Sequence, residues 1–253
     1  MTTRTRAFCF IASFLILTVM LSSVVSAYVL LSPARRWFST PKAITIDNGG
    51  VASVTGIDGG VAESVTAANW WNSGGVTPVN ASAGNVAYVL GDNQADIIFD
   101  DPLNICTGNC LAATTTGFYN TGQTGVCTHP DNSTRNVVAI TDSDVAFNLS
   151  FDYTTPNEVG GCSSEIYLDT VLAHEVGHVI GLGHSGTSSA IMAPSVAFCS
   201  HKLVVADDVA GRNDLYQCTT FPGGGGGCTP KNGSCTSNSQ CCSGVCKPNG
   251  RCR

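Results

Sequence analysis

The sequence predicts an α+β domain followed by a small disulfide-rich module. Segments typical of strands come first in the larger part of the chain and segments typical of helices follow, which favours an α+β domain. Six cysteines then crowd into residues 228–252 with almost no apolar side chains among them, so disulfides would have to stabilise that part. The segment FPGGGGGC, residues 221–228, lies between the domain and the module, and its consecutive glycines behave as a flexible tether. We therefore assign residues 28–218 to the large domain, 219–227 to a linker and 228–253 to the module.

Four short segments of the large domain have the composition of strands. They are rich in β-branched and other apolar residues and are bounded by turn-forming ones. The predicted strands are residues 42–47, 85–90, 95–100 and 136–148.

Three further segments have the pattern of helices. Residues 63–71 place Val65, Ala68 and one of the two tryptophans, Trp70 or Trp71, toward a core. The last helix, residues 206–217, begins with acidic residues that suit its positive end. The middle helix lies within residues 163–183, and its buried side is predicted to include Ile166, Val171, Leu172, Val176 and Val179.

Residues 1–27 have the features of a secretory signal. Arg4 and Arg6 precede an uncharged run, residues 7–21, and small residues at Val25 and Ala27 suit cleavage before the next residue. The alternative is an uncleaved membrane anchor, because the uncharged stretch is long enough to span a bilayer. We favour the signal, and therefore expect a secreted, extracellular protein with no membrane contact after cleavage.

Charge and cysteine content agree with secretion and exclude one class of partner. Only 12% of the residues are charged and the formal net charge is −6, so no basic surface for nucleic acid is expected. Of the 13 cysteines, Cys9 lies in the signal segment, which leaves an even number for disulfides in an oxidising compartment. The sequence does not say how the dispersed set pairs, namely Cys106, Cys110, Cys127, Cys162, Cys199 and Cys218.

The segment LAHEVGHVIGLGHS, residues 172–185, contains three of the five histidines. His174 and His178 are four positions apart, so on a helix they project from one face toward a common point. Gly181 can end the helix with a positive φ, and His184 can then return to the same point. Three neutral nitrogens with an open fourth position are typical of a catalytic zinc site.

Glu175 lies next to this site without being forced into the metal's coordination sphere. Zinc lowers the pKa of a bound water to near 7, and Glu175 would accept that water's proton and later pass it to a departing amine. The alternative is that the histidines lie on a helix surface or pair with carboxylates. The extended pattern His-Glu-x-x-His-x-x-Gly-x-x-His favours the metal.

This extended pattern resembles the metzincin metalloendopeptidases, and Ser185 after the third histidine resembles their matrixin branch. AIMAPS, residues 190–195, is similar to the family's Met-turn, with Met192 beneath the metal, although an ordinary core methionine would look the same. Residues 207–216 resemble its last helix. The resemblance implies a twisted mixed sheet with three helices and a peptide substrate along an edge strand above one catalytic Zn2+.

The chain also departs from the family. Only His129 and His201 remain outside the motif, too few for the second zinc that many matrixins carry, and we expect both at the surface. Residues 28–41 contain no cysteine that would hold the enzyme latent. Calcium is common in the family, but spacing assigns no site here, and loop solvation or capping explains the acidic residues equally well. The oxygen ligands available for Ca2+ are Asp92, Asp96, Asp100, Asp101, Asp142 and Asp144.

The C-terminal cysteine spacing, with an adjacent central pair, resembles the knottin or inhibitor cystine knot. A zinc-binding cysteine module is the alternative, and the signal segment favours disulfides. The tether leads us to expect a targeting module for a protein or polymer surface, with self-inhibition of the cleft as the competing idea. The resemblance implies the pairs Cys228–Cys242, Cys235–Cys246 and Cys241–Cys252.

Together these features predict a secreted zinc-dependent endopeptidase that hydrolyses proteins or peptides. The rival hypothesis, from another functional class, is a secreted binding or inhibitor protein in which the knottin-like module is the active part. An intact Glu175 argues against the rival, because an inert scaffold need not keep a catalytic base.

Overall fold

A computed structural model of the chain describes residues 27–55, 58–118, 124–158, 160–221, 234–236 and 246–252. Almost all of the predicted signal segment, most of the linker and much of the predicted module lie outside the described residues. Within the described part, no helix is long and apolar enough to cross a membrane.

The large domain is built on a mixed sheet with three α-helices, as the sequence predicts. The helices are α1 (Val61–Ala68), which continues into a 3₁₀ turn (Asn69–Trp71), α2 (Leu168–Val179) and α3 (Ala206–Tyr216). The strands are β1 (Val29–Leu30), β2 (Arg35–Arg36), β3 (Lys42–Asp47), β4 (Val79–Gly84), β5 (Ala95–Ile98), β6 (Ala112–Phe118), β7 (Thr124–Thr128), β8 (Thr134–Phe147), β9 (Tyr153–Thr154), β10 (Ile166–Tyr167) and β11 (Leu182–Gly183).

Strand β8 organises this sheet. The order β2-β8-β5-β3-β4 is parallel throughout, whereas β6 and β7 pair with β8 in the antiparallel sense. Alternate side chains of β8 enter the core, including Val137, Val145 and Phe147. In the part of the chain that is described, β6 pairs with β8 alone, which leaves its other edge open.

One strand prediction is wrong, and one strand that borders the cleft was not predicted. Residues 85–90 form no strand, and the neighbouring segment β4 pairs with β3 instead. Val79 and Ala81 are buried from β4, whereas Val89 and Leu90 are about half exposed, so the more apolar segment is not the one in the sheet. Strand β6 was not predicted because its Ala, Thr and Gly residues show no apolar alternation. Pairing with β8 stabilises it through the backbone.

Helix α2 is shorter than its predicted segment. Ile166 and Tyr167 form a strand that pairs with β9, and the helix begins only at Leu168. Ile166 is therefore buried from a strand and not from the helix. The helix ends at Val179, and the chain turns away at Gly181, where φ is positive (104°) as the sequence predicts and a Cβ atom would collide with the carbonyl oxygen of Arg35.

Helix α1 packs against α2 through the end of its 3₁₀ turn. Trp71 is fully buried and donates its indole N–H to the carbonyl of Ala173 at 2.9 Å, whereas Trp70 is only half buried. Of the two tryptophans that the sequence offered, Trp71 is the core residue. This contact holds α2 at the middle of the segment that contains the histidines.

Disulfides join the dispersed cysteines, a pairing that the sequence had left open. The bonds are Cys106–Cys110, Cys127–Cys218 and Cys162–Cys199. In the module, Cys235 and Cys246 are joined, one of the three pairs that the knottin resemblance implies. Each of the other two implied pairs includes residues that the structure does not describe.

The large domain extends further than predicted. Thr219 and Thr220 exchange backbone hydrogen bonds with Thr128, at 2.8 and 3.1 Å. Phe221 packs edge-to-face on Phe38, with ring centroids 4.9 Å apart. The first three residues of the predicted linker are therefore attached to the sheet, and the glycine run begins only at Gly223.

Candidate functional site

The three histidines of the motif lie together at the C-terminal half of α2 and the turn that follows it. Their ring centroids are 4.7 Å apart for His174 and His178, 4.9 Å for His178 and His184, and 5.2 Å for His174 and His184. One ligand atom from each ring lies within 4.8 Å of the others. Gly181 makes this possible, because the reversal at its positive φ brings His184 back toward the helix.

Backbone carbonyls fix two of these rings. Nδ1 of His174 is 2.7 Å from the carbonyl oxygen of Ile191, and Nδ1 of His178 is 2.8 Å from that of Leu182. A carbonyl oxygen only accepts, so both Nδ1 atoms must carry the proton. The Nε2 atom of each ring then keeps its lone pair for a metal.

Burial keeps His174 neutral. It lowers the pKa of this imidazole to about 3, and neighbouring His178 acts in the same direction. Burial and His178 also lower the pKa of His184. Neutral nitrogens that share one small space fit a zinc ion, whose common protein ligands include uncharged imidazole.

Met192, in the turn that resembles a Met-turn, packs against α2 at Gly177. A Cβ atom at Gly177 would lie 2.1 Å from the sulfur of Met192, so only glycine leaves room for this contact. The amide of Ser185 donates to the carbonyl of Met192 at 2.7 Å. The turn therefore contacts α2 from below and the His184 segment from the side.

Asp208 anchors this turn from α3. Its carboxylate, 1% exposed, accepts the backbone N–H groups of Ile191, Met192 and Val205 at 3.0, 3.1 and 2.9 Å. The carbonyl of Ile191 in turn holds His174. One buried carboxylate thus connects the last helix to the ring of a candidate metal ligand.

Glu175 is buried beside the histidines, at 5% exposure. Thr114 of β6 donates its hydroxyl to Oε2 of Glu175 at 2.5 Å. Burial raises the pKa of Glu175, which His178 and the Thr114 hydrogen bond partly oppose. Such a carboxyl group exchanges protons closer to neutral pH than an exposed one.

A cleft of about 820 Å³ lies above these residues. The open strand β6 forms one side, and the segment after Met192 forms the other, with Val196 and Phe198 on its apolar wall. Lys202 braces that segment, because its Nζ lies 2.8 Å from the carbonyl of Ser188 and 3.3 Å from that of Ser195. Strand β6 and the three motif histidines thus line the same cleft.

The two histidines outside the motif lie away from this site. His201 is exposed, as expected, and contacts Asp169 at 2.8 Å. His129 does not lie at the surface as we expected: its side chain is 12% exposed and lies 3.3 Å from Asp214. The expectation was wrong because His129 packs beside Asp214 of α3, a residue far along the chain.

Three of the six aspartates suggested for calcium form a buried acidic cluster, Asp96, Asp142 and Asp144. Asp142 accepts the amides of Gly91 and Asn93, at 2.8 and 2.9 Å. Neither carboxylate oxygen of Asp144 has a hydrogen-bond partner among the described residues, although the side chain is fully buried.

The other suggested aspartates cap loops. Asp101 accepts the amides of Ile105 and Cys106, and Asp92 accepts that of Gln94. Asp100 is exposed and accepts the amide of Asp101. These three carboxylates therefore accept backbone amides within their own loops.

Comparison with known proteins places the site in a family context. The chain is 42% identical to Metalloendoproteinase 5-MMP of Arabidopsis thaliana over 60 residues. This aligned segment covers 23% of this chain and 17% of that protein. It is 47% identical over 57 residues to Metalloendoproteinase 1-MMP of the same plant, covering 21% and 16%. Human Matrix metalloproteinase-19 is 48% identical over 52 residues, covering 20% and 10%. The chain thus matches less than a fifth of the length of these relatives.

A family match spans much more of the chain. Residues 86–217, about half of the sequence, match the matrixin model. That range contains β5 to β8, the three motif histidines, the Met-turn and α3. The match therefore includes both sides of the cleft as well as the cluster between them, and we conclude that the chain belongs to the matrixin family.

Proposed function

We propose that this protein is a secreted zinc-dependent endopeptidase. The observation that supports this most is the convergence of His174, His178 and His184 at the base of a cleft that has an open strand on one side. Membership of the matrixin family and the likeness to metalloendoproteinases point to the same activity. Disulfides in the large domain suit the oxidising compartment that secretion implies.

Each residue of the site has a defined part in the proposed reaction. Zinc, when bound, would polarise the peptide carbonyl and lower the pKa of a water. His174 and His178, each fixed through Nδ1, would present Nε2 to the ion, and His184 would complete the set. Glu175 would take a proton on its carboxylate and deliver it to the departing amine nitrogen. Strand β6 would hold the peptide by backbone hydrogen bonds.

The first test is metal dependence on a generic protein substrate. We expect one zinc per chain by elemental analysis, loss of nearly all hydrolysis with a strong chelator, and recovery when zinc is restored. The rival hypothesis, a binding protein whose knottin-like module is active, predicts no hydrolysis with or without zinc. Purified protein that is loaded with zinc but hydrolyses none of a broad peptide library would contradict the proposal.

We also propose that Ca2+ binds at the buried acidic cluster, and Asp144 is the residue whose substitution tests this. In the metal-free protein, burial and the charges of Asp142, Asp96 and Asp92 raise the pKa of Asp144 to about 7. Lys42 and Tyr88 also face this carboxyl group. Neither oxygen of this buried carboxylate accepts a hydrogen bond from a described residue, and Ca2+ prefers carboxylate oxygens, which is what supports the proposal.

The raised pKa fixes the direction of a pH effect. The folded state binds the Asp144 proton more tightly than the unfolded state, so this group lowers stability as pH rises from about 4 toward 7. We therefore expect Asp144→Asn to raise the melting temperature at pH 8 in chelator and to change it little at pH 4. Added calcium should raise the melting temperature of the wild type at pH 8 but not that of Asp144→Asn.

Asp101→Asn is the matched control, since it alters a capping aspartate outside the buried cluster. Its melting temperature should respond to pH and calcium as the wild type does. An Asp144→Asn protein that is less stable than wild type at pH 8 without metal would contradict the assignment of an unpaired buried charge.

A further inference from the structure

We infer that Thr114 is a positioning residue for Glu175: its hydroxyl holds one carboxylate oxygen and leaves the other to exchange the reacting proton. The inference deepens the proposed endopeptidase function and depends on Glu175 as its base. Neither the histidine motif nor the Met-turn includes this threonine, which lies 61 positions before Glu175.

The contact is short and specific. Oγ1 of Thr114 lies 2.5 Å from Oε2 of Glu175 and 3.3 Å from that residue's own carbonyl oxygen. A hydroxyl has one proton to donate, and the distances direct it to the carboxylate. In the described part of the chain, no other side-chain or backbone donor reaches the Glu175 carboxylate.

The hydrogen bond gives the two carboxylate oxygens of Glu175 different roles. Oε2 is occupied by Thr114, so Oε1 is the oxygen that can face a water and a departing amine. The hydroxyl can donate to an ionised carboxylate and accept from a protonated one, and it therefore supports both states of a base that gains and loses a proton. Fixing the rotamer in this way reduces the positions that the carboxylate samples before each transfer.

The position of Thr114 in the fold strengthens the inference. It lies on β6, the open strand along which we place the substrate, while Glu175 lies on α2. The hydrogen bond therefore crosses from one wall of the cleft to its base. A peptide that pairs with β6 would be aligned to the same strand that orients the base.

The test is a matched series at residue 114, assayed with a peptide substrate under conditions that separate kcat from KM. Thr114→Val has nearly the same shape without the hydroxyl, and kcat should fall roughly tenfold to a hundredfold, the effect of losing a hydrogen bond to a charged group. KM should change by less than about twofold, since the strand's backbone is unaltered. Thr114→Ser restores the hydroxyl and should recover most of kcat.

Thr115→Val on the same strand is the control. Its hydroxyl points to the other face and donates to the carbonyl of Asp144 at 3.2 Å, so kcat should remain near wild type. Zinc content and melting temperature should match among all variants, which separates a change of turnover from a loss of metal or of fold.

A double-mutant cycle with Glu175→Gln identifies the route of the effect. If Thr114 acts through Glu175, Thr114→Val should lower kcat in the wild-type background and leave the residual rate unchanged in the Glu175→Gln background. An equal fall in both backgrounds, or a Thr114→Val enzyme with wild-type kcat, would overturn the inference. Failure of Glu175→Gln to reduce activity would instead contradict the proposed mechanism itself, whatever Thr114 does.

Discussion

Replacing Glu175 with Gln should leave a folded protein that binds one zinc per chain and hydrolyses peptides at least about a hundredfold more slowly. The glutamine side chain keeps the shape of glutamate, and its amide oxygen can still accept the hydrogen bond from the Thr114 hydroxyl. The amide cannot take up a proton at neutral pH. The histidines do not depend on Glu175 for their orientation, because the carbonyls of Ile191 and Leu182 fix two of their rings. Only the proton transfer should be lost.

Three measurements on the purified variant check this result: zinc by elemental analysis, melting temperature, and kcat/KM on a peptide substrate. Glu63→Gln is a suitable control, because that carboxylate lies on α1 and, among the described residues, accepts a single exposed hydrogen bond, from Asn157. It should behave as wild type in all three. A Glu175→Gln protein that retains zinc and most of its turnover would remove Glu175 from the mechanism and with it the central role proposed for the motif.

The motif was predictable from sequence because its geometry is local. A spacing of four on a helix and a glycine that permits a positive φ are enough to predict that His174, His178 and His184 converge. The same reasoning did not find Thr114 or the anchoring role of Asp208. Both act through contacts with residues far along the chain, and neither has a spacing that local periodicity would detect.

The strands of the sheet also show that local sequence patterns do not reveal contacts between distant segments. Strand β3 was predicted with the bounds it has, because Ile44 and Ile46 alternate with less buried residues. Strand β6, which forms one side of the cleft, has no such alternation, and all its residues are half buried. Its position follows from pairing with β8, an interaction between backbones that composition does not record. The part of the site most open to substrate was therefore the part least visible in the sequence.

Asp208→Ala should destabilise the large domain severely and weaken zinc binding at the same time. The change leaves three backbone N–H groups without their acceptor, two of them in the Met-turn. Each buried donor left unsatisfied costs about 1–3 kcal/mol, so the loss should be at least about 3 kcal/mol. For a domain of this size that lowers the melting temperature by roughly 10 °C. Because the Ile191 carbonyl orients His174, zinc affinity should fall as the turn loosens.

A graded series makes this prediction sharp. Asp208→Asn keeps one acceptor oxygen, which can still serve Ile191 and Val205, since both donate to Oδ2, while Met192 donates to Oδ1. Its melting temperature and zinc affinity should therefore lie between those of wild type and Asp208→Ala.

Asp207→Ala is the matched control, because that neighbouring carboxylate is less buried and contacts Ser185 instead of the turn's amides. The loss of stability in this variant should therefore be smaller. If Asp208→Ala does not fold, Asp208→Asn still reports the effect by titration with zinc and by thermal melting. An Asp208→Asn protein indistinguishable from wild type in both measurements would show that the turn does not depend on this carboxylate.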